Sequence, residues 1–526
     1  MTMRAIGFLF MLLGSLAALG EVRGIAFPTA QWFFEASRTV PFLNFTMPGG
    51  QIFPWFGWLS VASLIIGGIC MTVRTFTRGP KNPITERQIQ RFREIKRGYY
   101  SLMILILLGG VAGLDQLVVG KRALAVKYDG HWIFPAFLSR ELKNKDFGIT
   151  GERAEAAADY RELKRLWKET NENRVIMPLV PYDSTGDTLP PRSRPLVERD
   201  GIYYELGSSK PYWGLAARYH DILTAKIHLR QAMREGKLMG PQDGWDASGL
   251  PVFNADLKND GQVSERFSGA GTKQQFLALP STGYRAIKYH PAPPIPSEGN
   301  WLGTTSQGYD MLAYLYGGLQ VNFKAALIYL PFVYVIGISI GMMMGYFGGW
   351  FDLIMQRMIE IFSNTPFLFI VIIFSSMVPE RFKGLPVILT ILIIFGWMGL
   401  TYLMRTAAYR DKERDYIAAA KVLGASTPRI IFRHLLPNTV AIIVTLLPFT
   451  VSGLVFSLTS LDYLGFGLPP EYATWGRLLN DGLANLSSPW LVTSTFIVLV
   501  GLLVLITFIG EAVREAFDPK KFTYYR

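Results

Sequence analysis

The stretch DYIAAAKVLGASTPRIIFRHLLPN, residues 415–438, is a small-residue, basic and polar segment set between two long apolar runs. Ala418, Ala419 and Ala420 favour helix, because alanine gives up no side-chain entropy there. Gly424 interrupts that helix where a turn needs free φ, and Thr427 with Pro428 restarts a second helix as N-cap and first helical residue. The expected product is a short helix, a bend and another helix. A plain helical linker has the same outline, so the surroundings of the segment decide what it is for.

Those surroundings are membrane-like. The chain has 526 residues, of which 50% are hydrophobic and only 18% charged, which suits a membrane protein carrying a sizeable soluble part. A formal charge of +13 first suggests nucleic acid. The excess, however, sits in short loops beside apolar runs, where cytoplasmic Lys and Arg accumulate, while acidic residues nearly match the basic ones across 121–288. Cys70 is the only cysteine, so no intrachain disulfide is possible.

Six apolar runs approach the roughly 20 helical residues that cross a bilayer core: 55–73, 100–118, 325–346, 385–403, 439–461 and 491–509. Residues 366–377 make a shorter seventh candidate. Residues 5–19 make an eighth, read as a short retained helix rather than a cleaved signal despite the small residues at 15–18. The basic loops 74–97 and 405–433 are assigned to the cytoplasm. Counting crossings then puts 120–319 outside and 511–526 inside, with Arg514, Lys520, Lys521 and Arg526 agreeing.

Some 200 residues without a span need a folded domain of their own. Residues 126–137 alternate and turn at Asp129-Gly130, a hairpin signal. Helix is expected over 152–170 and 212–236, and loops over the Pro- and Gly-rich 178–195 and 280–296. The domain reads as mixed α and β. Catalytic chemistry does not assemble: His131, His220, His228, His290 and His434 lack metal-ligand spacing, and Ser268–Lys273 lacks the spacer and the hydroxyl residue of a phosphate-binding loop. Inside the spans, Asp115 and Lys324 read as residues reaching the interface, and the methionines 342–344 as packing or as an adaptable path lining.

At this point a resemblance becomes specific. Ala419, Ala420, Gly424, Leu436 and Pro437 fall where the cytoplasmic EAA loop of ABC importer permeases has its alanines, glycine and Leu-Pro pair; Ala418 replaces the leading Glu, so that carboxylate's role is not carried over. Residues 300–318, NWLGTTSQGYDMLAYLYGG, resemble the segment before the second core helix of dipeptide and oligopeptide permeases, with Thr305 and Tyr309 departing from its Asp and Arg. LDYLGFGLPPEYATWGRLL, 461–479, is similar to their last exterior loop. KYDGHWIFP at 127–135, RGYYSL at 97–102 and IGEAVREAFDPKK at 509–521 resemble the inner-membrane permeases of microcin C and oligopeptide importers.

The resemblance implies an all-α membrane protein of about eight transmembrane helices, built on the six-helix core of type I importers, with an inserted mixed α/β periplasmic domain. It divides into 1–99, an extension with two spans and a basic loop; 100–119, the first core helix; 120–318, the insertion; and 319–526, the core with its coupling loop at 411–438. It implies a non-enzymatic subunit of an ATP-driven peptide importer in the bacterial inner membrane, with no cofactor. The partners would be a second permease, two ATP-binding subunits and a periplasmic binding protein. Ala418, Ala419, Ala420, Gly424, Arg429, Arg433, Leu436 and Pro437 would couple it to the ATPase; Arg429 and Arg433 read equally well as positive-inside anchors. A secondary transporter would show internal repeats and mid-membrane coupling-ion residues, and neither is present in the sequence. A membrane-anchored sensor with an exterior ligand domain would not require the hook.

Overall fold

The computed structural model describes residues 3–25, 34, 37–38, 45–46, 52–76, 83–138, 140–149, 154–167, 173–188, 192–205, 211–221, 226–257, 263–269, 272–288, 291–292, 294, 300–379, 382–486 and 488–517. These divide into two compact units: residues 1–187, 296–302 and 310–526, and residues 188–295 with 303–309.

In the first unit the apolar runs are helices, because a backbone in hydrocarbon must satisfy its own polar groups. Helix α1 (Met3–Arg23) packs along α2 (Trp55–Phe76), and the two-residue strands β1 (Phe45–Thr46) and β2 (Ile52–Phe53) pair between them. Helices α3 (Pro83–Glu94) and α4 (Lys96–Gly113) are bent apart by 93°. Strands β3 (Ala125–Tyr128) and β4 (His131–Ile133) form the expected hairpin, with Asp129 and Gly130 at φ +48° and +77°. Strand β5 (Arg174–Ile176) adds to β3, and Val126 and Val175 pack with Phe147, Tyr160 and Leu163. Tyr160 and Leu163 belong to α5 (Tyr160–Leu166), which is all the described helix in the stretch 152–170 expected to be helical; residues 150–153 and 168–172 lie outside the described residues.

The second unit is an eight-stranded antiparallel sheet. Its strands are β6 (Arg192–Arg199), β7 (Ile202–Glu205), β8 (Gly214–Asp221), β9 (Lys226–Arg234), β10 (Lys237–Trp245), β11 (Pro251–Leu257), β12 (Val263–Phe267) and β13 (Arg285–Lys288), in the order β12-β11-β10-β9-β8-β13-β6-β7. One short helix, α6 (Lys273–Leu277), starts from a Thr272–Gln275 capping box. The expected helix at 212–236 is therefore wrong: β8 and β9 occupy it. Leu229, Gln231 and Met233 alternate inward with period two, and two-residue turns at Asp200-Gly201 and Glu235-Gly236, all four at positive φ, close the hairpins on either side. The stretches 178–195 and 280–296, expected as loops, supply the start of β6 and the whole of β13. Thr188 and Tyr309, where the chain enters and leaves this unit, pair with each other in an antiparallel bridge. The division between units thus falls within the stretch 120–318 expected as one insertion, and strands dominate its α and β content.

Back in the first unit, Asp310 caps α7 (Met311–Phe347), its Oδ1 accepting from Ala313 N at 2.9 Å. At 1.5 Å per residue α7 is about 55 Å long, well beyond a bilayer core of about 30 Å. There follow α8 (Gly349–Ser363), α9 (Phe367–Met377), α10 (Leu385–Gly396), α11 (Met398–Lys412), α12 (Asp415–Val422), a helical turn α13 (Thr427–Arg429), α14 (Leu436–Tyr463), α15 (Trp475–Ala484) and α16 (Pro489–Phe517). The main core joins Val333, Met342, Leu389, Leu392, Met404 and Leu458 across α7, α10, α11 and α14. Met342 and Met344 are buried in it, so they pack rather than line an open path, while Met343 is exposed.

Among the described residues five helices are long and apolar enough to cross a membrane, or seven if each bent pair counts as one span; α8 and α9 form the second such pair, bent by 83°. The described residues thus support five to seven such helices, where the sequence led to an expectation of about eight. The basic residues Lys520, Lys521 and Arg526, and residues 77–82 of the first basic loop, lie outside the described residues.

Candidate functional site: a braced helical hook

The segment 415–438 is a helix, a turn and a helix, held at both ends. On the α11 side, Gly341 and Gly345 of α7 let the two backbones touch: a Cβ on Gly341 would lie 2.7 Å from Met404 Cβ, and one on Gly345 would lie 3.0 Å from Tyr409 N. This is the small-xxx-small spacing that membrane helices use for close packing. Thr401 Oγ1 donates to the Gly337 carbonyl across the same seam at 3.1 Å.

One helical turn further, the Arg405 guanidinium and the Tyr409 hydroxyl donate to the Asp352 carboxylate of α8, at 2.6 and 2.8 Å to Oδ2. Asp352 is buried; a buried carboxylate keeps its place only when paired and hydrogen-bonded, and here two donors from α11 fasten α8 to the base of the hook. Asp411, also buried, receives Arg410 Nε at 3.0 Å and Arg414 Nε at 3.1 Å, closing the corner into α12.

Helix α12 points Ile417 and Ala420 inward and leaves Ala418 and Ala419 exposed. It ends in a Schellman motif: Ala425 N donates to Ala420 O and Gly424 N to Lys421 O, both at 3.0 Å, with Gly424 at φ +76°. The turn projects Val422 and Leu423 into solvent, 88% and 86% exposed. The restart lies one residue earlier than the sequence suggested. Ser426, with extended backbone, is the N-cap; Thr427 and Pro428 occupy the first two helical positions. Corrections of one residue are usual at helix ends.

Residues 430–435 form a π-helical turn that runs into α14. The wide turn fits its neighbour, because Pro437 donates no N–H and its ring crowds the carbonyl of Arg433 in a regular helix. Leu436 packs on the core, Pro437 is exposed, and Asn438 Nδ2 donates to Tyr416 Oη at 2.6 Å, tying the second arm to the first. Lys421 Nζ lies 5.5 Å from the Tyr346 ring centre. Arg429 and Arg433 are exposed, with no ion pair among the described residues.

All eight residues singled out in the sequence therefore lie on one helix-turn-helix. Val422, Leu423 and Phe432, the last 58% exposed, were missed: in sequence they read as core residues, and only the bend makes them a tip. The braces Asp352, Arg405 and Tyr409 carry no local signature, whereas the Gly337, Gly341, Gly345 spacing was readable. No group of three or more His, Cys, Asp or Glu side chains placed to hold a metal ion stands here or elsewhere among the described residues.

The two other family-like stretches are caps and braces. Asn300 Nδ2 donates to the capping Asp310 at 2.6 Å. In the loop 464–474, Asp462 accepts from Leu468 N at 2.7 Å, and Arg477 donates to the carbonyls of Leu468, Pro469 and Tyr472. Trp475 is buried against α7, its Nε1 donating to the Leu315 carbonyl at 2.9 Å.

The profile of the family described as "Binding-protein-dependent transport system inner membrane component" matches residues 337–523, which include the whole hook. The inner membrane ABC transporter permease protein YejE of Escherichia coli K12 is 32% identical over 440 residues, covering 84% of this chain and 98% of that protein. A peptidoglycan transport system permease protein YejE of Agrobacterium fabrum is 41% identical over 222 residues, 42% of this chain and 58% of that one. The dipeptide transport system permease protein DppC of Bacillus subtilis is 32% identical over 228 residues, 43% and 70% of the two chains.

Proposed function

This chain belongs to the ABC transporter permeases, the inner membrane components of binding-protein-dependent transport systems, and from that premise we propose that it is the multi-pass subunit through which a bacterial importer moves peptides or peptide-like compounds. It is a transport subunit and not an enzyme. The working assembly pairs it with a second permease, two ATP-binding subunits below and a substrate-binding protein outside. The basic loops 74–97 and 405–433 face the cytoplasm and residues 120–319 the exterior.

The observation that carries this reading is the hook with its exposed tip. Ala418 and Ala419 allow close approach, Val422 and Leu423 offer apolar surface to a groove, and Arg429 and Arg433 stand beside them for acidic groups. A sensor that works without an ATPase does not require such a tip. Turning a conformational preference from 1:99 to 99:1 takes about 5.5 kcal/mol of differential binding. The Asp352 and Asn438 ties connect the hook to α8, α11 and α14, the elements to which such a load would pass.

Affinity purification of the full chain from native membranes tests the class. Recovery of a second permease and ATP-binding chains is expected, and their loss on Val422→Asp/Leu423→Asp follows if the tip is the contact. A chain that purifies alone overturns the proposal in favour of the sensor, and a double variant that retains its ATPase overturns the tip as the contact. In a Cys70→Ser background, Ala247→Cys is expected to label from outside an intact inner membrane.

A further inference from the structure

Two helix breaks and the middle of α14 meet at one cavity of about 450 Å³ in the first unit. The elbow between α8 and α9 brings Ser363 and Thr365 to it, the joint between α10 and α11 brings Gly396 and Gly399, and the middle of α14 brings Thr450, Gly453 and Ser457. Tyr329 of α7 closes one side, its ring seated against Gly396. Broken backbone at membrane depth persists where it lines a cavity, because the freed polar groups need partners that lipid does not supply. Its volume falls within the range of small-molecule sites.

The chemistry of the lining is narrow. No Asp, Glu, Lys, Arg or His contributes to it. Five hydroxyl residues do, each able to donate and accept, alongside the aromatic faces of Phe362, Phe367 and Phe395; Phe362 and Phe395 meet edge to face at 5.4 Å. At Gly399 and Gly453 an added Cβ would meet nothing within 4 Å, so backbone is exposed to the cavity and room is left beside it.

We propose that this cavity is a transit site that holds the uncharged main chain of a peptide, recognising amide groups through hydroxyls and exposed backbone while reading no side-chain charge. The inference rests on the peptide-importer reading and deepens it. A peptide bond presents one donor and one acceptor, which rotating hydroxyls match in either direction. An ionised side chain would find no counter-charge, so it must point elsewhere. The site therefore tolerates many sequences.

Gly453→Trp and, on another element, Gly399→Trp fill the cavity without displacing a neighbour at Cβ. In the complete reconstituted transporter each is expected to lose peptide uptake while assembly and ATP hydrolysis persist. Thr365→Asp is expected to keep uptake of neutral peptides and lose that of acidic ones. In a Cys70→Ser background, thiol modification of Ser457→Cys is expected to slow when the transporter turns over peptide. Uptake as in wild type by both tryptophan variants overturns the proposal, as does Ser457→Cys labelling indifferent to peptide. If both tryptophan variants lose the second permease, the cavity is a seat between subunits and the proposal falls. A wild-type complex that moves no peptide sinks the importer reading itself, a result distinct from all of these.

Discussion

Gly424 is the point at which a single side chain tests the hook. Its φ of +76° is a left-handed conformation, and nothing lies within 4 Å of where a Cβ would stand. Substitution therefore costs backbone energy alone, about 1–2 kcal/mol for an ordinary L-residue and less for Asn, which tolerates this region. Proline is worse: its φ is locked near −65°, and it removes the N–H that bonds Lys421 O at 3.0 Å. A cost of 1–2 kcal/mol corresponds to a roughly 5- to 30-fold drop in the population of the native bend. Uptake should fall in the order Gly424→Asn, Gly424→Ala, Gly424→Val, Gly424→Pro, with protein level and membrane insertion unchanged. The assay is peptide uptake in proteoliposomes, with ATPase co-purification measured on the same preparations. If Gly424→Pro transports and assembles normally, the bend is dispensable. If Asn and Ala are as damaging as Val, the partner's closeness and not the backbone sets the requirement.

Arg405→Met strands the buried Asp352 carboxylate with Tyr409 as its remaining donor, at a cost of about 3 kcal/mol, whereas Arg405→Met/Asp352→Leu recovers much of it; equal thermal midpoints for single and double variants would refute the brace. In the sheet unit, burial, then the nearby His220 and Arg218, hold His228 down to about 4. The folded state thus binds fewer protons than the unfolded one between pH 6.5 and 4, so stability is fully present above about 6.5 and is lost as pH falls, by at most about 3 kcal/mol. Limited proteolysis of residues 188–295 should quicken from pH 7 to pH 5 in the wild type and change less in His228→Gln; identical profiles refute it.

How far the sequence can be read depends on whether the signal is local. Ala420, Lys421, Gly424 and Ala425 carry a complete Schellman motif, and Asp129-Gly130 a complete hairpin turn, so both were visible in a few residues. The strands at 214–234 were hidden because Leu, Gln, Ala, Met and Arg are good helix formers, and tertiary pairing overrode that preference. The turns at Asp200-Gly201 and Glu235-Gly236 were the better guide. Thr365, Gly399 and Gly453 are far apart in the chain and individually ordinary. Their common cavity exists only once two helix breaks come together against the middle of α14, which no window of sequence contains.

The bridge between Thr188 and Tyr309 bears on how such a chain acquires and sheds parts. Antiparallel bridge partners stand about 5 Å apart at Cα, little more than the 3.8 Å between consecutive residues. The strands of the sheet unit therefore sit in a stretch of chain whose ends meet, and relatives are free to differ in the strands between Arg192 and Lys288. Residues 296–302 are held back from that freedom, because they belong to the helical unit and supply Asn300 to the capping Asp310.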